Sequence, residues 1–343
     1  MDTRDSRLDS AKGMLITLVV SGHLLEATNY WDDGLIRYLL TAIYAFHMPA
    51  FIFLAGMTSK PDNVKRRIAV LVSLLVIFQC LYSLYLPFMD SNKQFAWLDP
   101  FWLLWFLLAM VFWLITLTLA PASPRLALLI SVAIGLGSGA LPIVESVPTL
   151  DRALYFLPWF MGGYLIGQTA FDKAAMISRS TTIILLSASL MLAAALWHSN
   201  IGASWLYGSN GFAVLDVSFS HGVFVRALLI GIAAIMTWTL LTSADLLRTV
   251  FVKAGKRSLA IYLLHGFFVL PATPLLGLVF EHYGPVAATM ICVLMTWLVI
   301  YILSLSVFDR SLRILGSRSG EMLLNTADSF RKTIEPRSAS SRD

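Results

Sequence analysis

The sequence predicts an all-α, polytopic integral membrane protein of about ten transmembrane helices, with both its N- and C-terminus in the cytoplasm. Three observations predict it. Of the 343 residues, 58% are hydrophobic and only 13% are charged, roughly half the charge of an ordinary soluble domain. The mean hydropathy is +0.76, more apolar surface than a soluble core absorbs. The apolar residues gather in runs near the ~20 residues that cross a bilayer core as helix. Lys and Arg alternate between the connecting loops.

The runs are 12–28, 35–57, 67–88, 100–120, 125–142, 152–170, 181–198, 222–242, 257–280 and 286–308. The first is interrupted by Ser21, Gly22 and His23, and an intramembrane polar break needs a reason. Asp2, Asp5 and Asp9 stand where a signal peptide would be basic, and no A-x-A site follows, so the segment is expected to remain as a helix. In the second run Pro49 cannot donate to the Ala45 carbonyl and should kink the helix. The fourth opens on Trp102, Trp105 and Phe106, the sixth on Arg152 beside Asp151, and the eighth on Arg226. These groups read as interfacial anchors or as contacts for a substrate arriving from outside. Gly163-x3-Gly167 predicts a close helix contact.

The charge alternation sets the orientation. A cytoplasmic start places 21 of the 25 basic residues inside and leaves Arg37, Lys93, Arg152 and Arg226 at the outer ends. The net charge of +5 therefore reads as topology rather than nucleic-acid binding. Residues 1–315 form the membrane domain. Residues 316–343 are polar and mixed in charge and are expected as a disordered or surface-lying cytoplasmic tail. The longest outer loop, 199–221, carries Trp205, Tyr207, Asn210, Asp216 and His221, which suit substrate recognition or membrane anchoring. Cys80 and Cys292 lie inside apolar runs and give no disulfide framework or metal spacing.

The first helix carries the most informative spacing. Lys12 and His23 are 11 residues apart, close to three whole turns, so they share a face about 16 Å apart along the axis. Asp9 is placed to pair with Lys12. An imidazole at that depth is a functional candidate; the plain alternative is a helix–helix hydrogen bond. Tyr44 and His47 share a face of the second helix, and Ser258, Tyr262 and His265 share a face of the ninth. The latter stripe also suits polar glue between helices. Three histidines thus reach similar depth, a residue type suited to proton transfer near neutral pH. No carboxylate or cysteine accompanies them at ligand spacing, so no metal is expected.

At these residues the sequence resembles the acyltransferase-3 superfamily of membrane acyltransferases. It is most similar to the branch of fucose 4-O-acetylase-like bacterial sugar O-acetyltransferases. The resemblance rests on Asp9-Ser-Ala-Lys-Gly followed by Leu-Val-Val-Ser-Gly-His23, on Tyr44-Ala-Phe-His-Met-Pro-Ala-Phe-Ile-Phe-Leu-Ala-Gly56, on Trp105-Phe-Leu, on Phe156 to Gly167, and on Ser258-Leu-Ala-Ile-Tyr-Leu-Leu-His265. It implies a ten-helix fold in a cytoplasmic (inner) membrane. It also implies transfer of an acetyl or short acyl group from cytoplasmic acyl-CoA, acetyl-CoA above all, to a hydroxyl of a sugar or cell-surface glycan. It carries over a basic residue ahead of an essential helix-1 histidine, here Lys12 and His23.

The roles that follow are expectations. His23 acts as general base, with His47, Tyr44 and also His265 orienting it or stabilising an oxyanion. Lys12, Arg66 and Arg67 hold the CoA phosphates; the two arginines also suit plain inside charges. Trp105, Arg152, His265 and Tyr262 face the acceptor. The partners are acyl-CoA, a glycan acceptor and the lipid bilayer, with no nucleic acid, and a homo-oligomer is open. Two rivals stand beside this reading: a secondary transporter of a small polar solute, since ten helices with intramembrane polar groups also suit that class, and a non-catalytic assembly subunit.

Overall fold

The computed structural model describes residues 5–28, 31, 34–88, 99–119, 123–147, 149–199 and 201–334. No strand occurs among them. Asp5 caps α1 (Ser6–Glu26), its carboxylate accepting the Arg7 amide at 2.8 Å. One apolar run yields α2 (Gly34–Tyr44) and α3 (His47–Met57). The chain continues through α4 (Val64–Tyr85), a single 3-10 turn (Trp102–Leu104) and α5 (Trp105–Leu119). Ser123 and Pro124 start α6 (Pro124–Gly137), as a capping serine and an N-terminal proline should. Short pieces follow: α7 (Ile143–Ser146), α8 (Leu150–Tyr155), α9 (Leu157–Ile166) and α10 (Thr169–Ala175). The remaining elements are α11 (Arg179–His198), α12 (Ala203–Leu206), α13 (Phe219–Ser243), α14 (Arg248–Lys256), α15 (Ser258–Leu264), α16 (Gly266–Leu303) and α17 (Ser306–Ile334).

Among the described residues, seven segments are long and apolar enough to cross a membrane: Ser6–Glu26, Gly34–Met57, Val64–Tyr85, Trp102–Leu119, Arg179–His198, Phe219–Ser243 and Gly266–Leu303. The difference from about ten has local causes. As one rod, the 38 residues of α16 would run about 57 Å, nearly twice a bilayer core. Gly284, with φ 77° and ψ 179°, interrupts it just before Pro285, a conformation open to glycine alone. The two arms fall on the two expected runs there. The run at 125–142 yields only the shorter apolar helix Pro124–Ala140. The run at 152–170 is broken at Phe156 and stopped by Gly167 at φ 60°. Gly163 does meet α3 backbone at Phe53, as its motif predicts, but Gly167 is a turn with nothing near it.

The first helix threads the middle of the bundle and packs on α2, α3, α14, α15 and α16. Leu15, Ile16, Val20 and Leu24 are fully buried, the signature of a helix apolar all round. Gly13 lies on the Phe251 carbonyl and Gly255 on the Asp9 carbonyl, so the start of α1 touches α14 backbone to backbone. Asp9 is fully buried there. Ile183, Ile184, Leu190 and Met191 of α11, with Leu294, Leu298 and Tyr301 of α16, stay exposed, as lipid-facing surfaces do. The segment from 316, expected as disordered or surface-lying, is helical in its described part: α17 continues to Ile334, and Gly316 and Gly320 seat it against Val70 and Leu74 of α4. Residues 335–343 lie outside the described residues.

Candidate active site

Three breaks in helices and the end of α1 bring the chemistry together. Pro49 has no amide proton for the Ala45 carbonyl, and the run 35–57 splits one turn earlier, at Ala45–Phe46. The break puts Tyr44 at the end of α2 and His47 at the start of α3. His265 sits between α15 and α16, and Phe156 between α8 and α9. His23 and Glu26 occupy the last turn of α1.

Nδ1 of His23 lies 3.3 Å from Oε2 of Glu26, one turn on along the same helix. The Tyr44 hydroxyl donates to the same carboxylate at 2.5 Å, and the Tyr207 hydroxyl donates to its other oxygen. Trp31 Nε1 donates in turn to the Tyr207 hydroxyl at 3.1 Å. Burial and the adjacent Glu26 carboxylate hold the Tyr207 phenol protonated well above the ordinary tyrosine range. A carboxylate with three donors around it holds the imidazole in one orientation. With Nδ1–H directed at Glu26, Nε2 carries the free lone pair.

Aromatic rings complete the surround. The Trp102 ring stands edge-on to His23 at 4.7 Å, and the His265 ring lies 5.3 Å away. Trp102 has φ 41°, a left-handed conformation costly for a bulky residue and typical of constrained functional positions. His265 is 0% exposed. Its Nδ1 donates to the carbonyls of Ile261 and Tyr262 at 3.0 and 2.8 Å, and its Nε2 has no partner among the described residues. His47 likewise uses Nδ1 on the Ile43 carbonyl at 2.8 Å and meets the Tyr44 ring at 4.7 Å. The Ile43 and Ile261 carbonyls also accept the Phe46 and His265 amides at 3.3 and 2.9 Å, so each histidine adds a second donor to a carbonyl beside a helix break.

A cavity of about 650 Å3 opens over His23 and Glu26, at the end of the bundle where α1 finishes. Trp102, Trp105, Asp151, Arg152, Tyr207 and Asn210 are among its walls. The Arg152 guanidinium lies 4.8 Å from the centre of the Trp105 ring, and its Nε is buried without a hydrogen-bond partner among the described residues. The Arg152 amide donates to the Asp151 carboxylate at 2.6 Å. The outer wall is held by Arg226, only 2% exposed. Its guanidinium donates to the Gly135 carbonyl, Ser138 Oγ and the Asn210 carbonyl at 3.0, 2.9 and 3.2 Å. It also lies between the rings of Tyr155 and Phe212, at 4.9 and 4.7 Å. It is a buried clamp rather than an interfacial anchor.

The structure thus gathers His23, His47, Tyr44, Trp105 and Arg152 around one cavity, with His265 against His23. Tyr262 stands apart from the lining, its hydroxyl donating to the Leu103 carbonyl. Lys12 is half-buried in the N-terminal half of α1. Arg66 pairs with Glu321 of α17 at 3.0 Å, and Arg67 donates to Ser59 Oγ at 3.3 Å. Sequence reasoning missed Glu26, although its signal was present: an acid three residues after His23 lies on the same face. Glu26 is thus a carboxylate beside His23, where none was expected to accompany the histidines. Tyr207 had no local signal, since a folded loop carries it to the site.

Comparison with known proteins fits this geometry. The nodulation protein NolL of Sinorhizobium fredii (strain NBRC 101917 / NGR234) is 28% identical over 292 residues, covering 77% of this chain and 78% of that one. NolL of Mesorhizobium japonicum (strain LMG 29417 / CECT 9101 / MAFF 303099) is 25% identical over 294 residues, covering 77% and 76%. No solved structure matches. The acyltransferase domain model of the acyltransferase-3 family matches residues 5–305, nearly the whole membrane-embedded part. The chain therefore belongs to the acyltransferase-3 family and is a multi-pass membrane O-acyltransferase.

Proposed function

We propose that the protein transfers an acetyl or short acyl group from cytoplasmic acyl-CoA to a hydroxyl of a sugar or cell-surface glycan, within the inner membrane. The observation that carries this reading is the Glu26–His23 pair at the floor of a cavity walled by Trp102, Trp105, Asp151 and Arg152. Flat aromatic rings beside hydrogen-bonding groups suit a sugar ring, which offers apolar C–H faces and hydroxyl edges.

The chemistry follows from the pair. The acceptor hydroxyl gives its proton to His23 Nε2 while its oxygen bonds to the thioester carbonyl carbon. Glu26 stabilises the imidazolium that forms. Collapse of the tetrahedral intermediate breaks the C–S bond, and the imidazolium returns the proton to the departing thiolate. The products are the O-acyl ester and free CoA. Arg152 is the one Lys or Arg among the cavity's described lining residues and stabilises the negative charge of the intermediate. His265 flanks the His23 ring at 5.3 Å, and His47 lines the same cavity beside Tyr44. The cavity suits an acceptor arriving from outside, whereas the donor approaches along α1 from Lys12. Membership of an acyltransferase family leaves the transporter reading without support.

The test is comparative mass spectrometry of cell-surface glycans with and without the gene, complemented by wild type or by His23→Ala. The reading expects one acetyl mass lost on deletion, restored by wild type and not by the variant. Restoration by a folded His23→Ala protein would overturn it.

A further inference from the structure

The cytoplasmic end carries a second concavity, a groove of about 620 Å3 between the start of α1 and the helices that follow α13. Ser6, Arg248, Thr249, Lys253, Lys256 and Arg257 line it. Four cations thus fall within residues 248–257, and no carboxylate is among the lining residues. Their partners neutralise little of that charge. Arg248 stands 3.9 Å from Asp245 and donates to Ser6 Oγ at 3.4 Å. The Lys253 ammonium sits 5.7 Å from the centre of the Tyr301 ring, and Arg257 donates to the Ser304 carbonyl. Inside charges that serve topology alone have no need of a concave site. A groove walled by one sign of charge concentrates anions.

The groove is also tied rigidly to the catalytic histidine. Gly255, between Lys253 and Arg257, is pressed on the Asp9 carbonyl of α1. From Arg257, α15 leads to His265, whose ring lies 5.3 Å from His23. Eight helical residues span about 12 Å, comparable with the reach of a pantetheine arm and with the ~16 Å from Lys12 to His23. Of the cations first expected to hold phosphate, Arg66 is engaged by Glu321 and Arg67 by Ser59.

We infer that this groove binds the phosphorylated nucleotide end of acyl-CoA, with its pantetheine arm directed along α15 toward His23. Arginines 248 and 257 offer planar forks to phosphate oxygens, and lysines 253 and 256 offer point charges. The inference rests on the acyl-CoA donor proposed above. An anionic lipid headgroup shares the same phosphate chemistry, so the experiment separates the two.

The full chain is placed in nanodiscs of phosphatidylcholine, with or without phosphatidylglycerol. Acetyl-CoA kinetics and coenzyme A binding are measured for wild type, the double variant Lys253→Gln/Lys256→Gln, and Lys173→Gln as a cytoplasmic control. The double variant should raise the acetyl-CoA KM about tenfold or more, about 1.4 kcal/mol of lost binding, with kcat within about twofold and the control unchanged. On wild-type protein, coenzyme A should protect Lys253 and Lys256, but not Lys60, from an amine-reactive label read by mass spectrometry. An unchanged KM together with unprotected lysines overturns the proposal while leaving the enzyme reading intact. So does a double variant that loses only its response to phosphatidylglycerol. Wild type that transfers acyl groups without binding coenzyme A overturns the donor assignment itself, and the groove with it.

Discussion

Replacing Glu26 with Gln keeps the side chain's size and one acceptor oxygen where the carboxylate offers separate oxygens to Tyr44 and Tyr207, and it removes the charge. The cost follows from geometry. The carboxylate lies 3.3 Å from the imidazole nitrogen. At that distance a unit charge pair is worth about 5 kcal/mol at an effective dielectric constant near 20. The side chains are 15% and 20% exposed, and the amide still accepts a hydrogen bond, so about 2–3 kcal/mol is the expected net loss. This loss falls on the transition state, where His23 is protonated, and not on the ground state. A kcat lower by about 30- to 150-fold follows, with the acetyl-CoA KM little changed. The assay is release of free CoA thiol by purified protein in nanodiscs with a glycan acceptor. A folded Glu26→Gln enzyme within about threefold of wild-type kcat refutes the argument that this carboxylate supports the base.

Other perturbations probe separate parts of the account. Tyr207→Phe removes one of the donors that fix Glu26 and should lower kcat by about 1 kcal/mol, near fivefold, in the same assay. Trp105→Leu removes the ring beneath Arg152 and should weaken acceptor binding by about 1–2 kcal/mol, read as a higher acceptor KM with the donor KM unchanged. Arg226→Ala leaves three buried acceptors without their donor and two rings without their cation. Thermal unfolding in detergent should report about 3 kcal/mol of lost stability, and the acceptor KM should rise as the outer wall loosens. Gly255→Ala puts a methyl group into the Asp9 carbonyl, and a shift of α14 on α1 should cost about 1–3 kcal/mol by the same melt.

The parts of this molecule that could be read from its sequence are those set by composition and local spacing. Each apolar run became helix, because a chain with so few charges has no other way to satisfy its backbone in lipid. The Lys12–His23 stripe needs only the helical period. Pro49 marked a break because its missing amide proton is a local fact, although the split came one turn earlier, where the Ala45 carbonyl loses its donor. What could not be read depends on distant packing. Tyr207 reaches Glu26 from a loop 181 residues away. Arg226 looked like an anchor because nothing nearby in sequence shows Tyr155 and Phe212 closing on it. The helix after Gly316 is polar enough to suggest disorder, yet Gly316 and Gly320 give it a face for α4. Glu26 is a different case: its signal was local, but an acid at a helix end reads first as a solvated terminus.

The central claim is that His23 takes the acceptor's proton. The most direct measurement is single-turnover acyl transfer by purified His23→Asn protein, with folding checked by thermal unfolding and donor affinity checked by coenzyme A binding. A general base is worth about 100- to 10,000-fold in rate. The account predicts a loss of that size with coenzyme A binding intact. Transfer at the wild-type rate by the folded variant would contradict it.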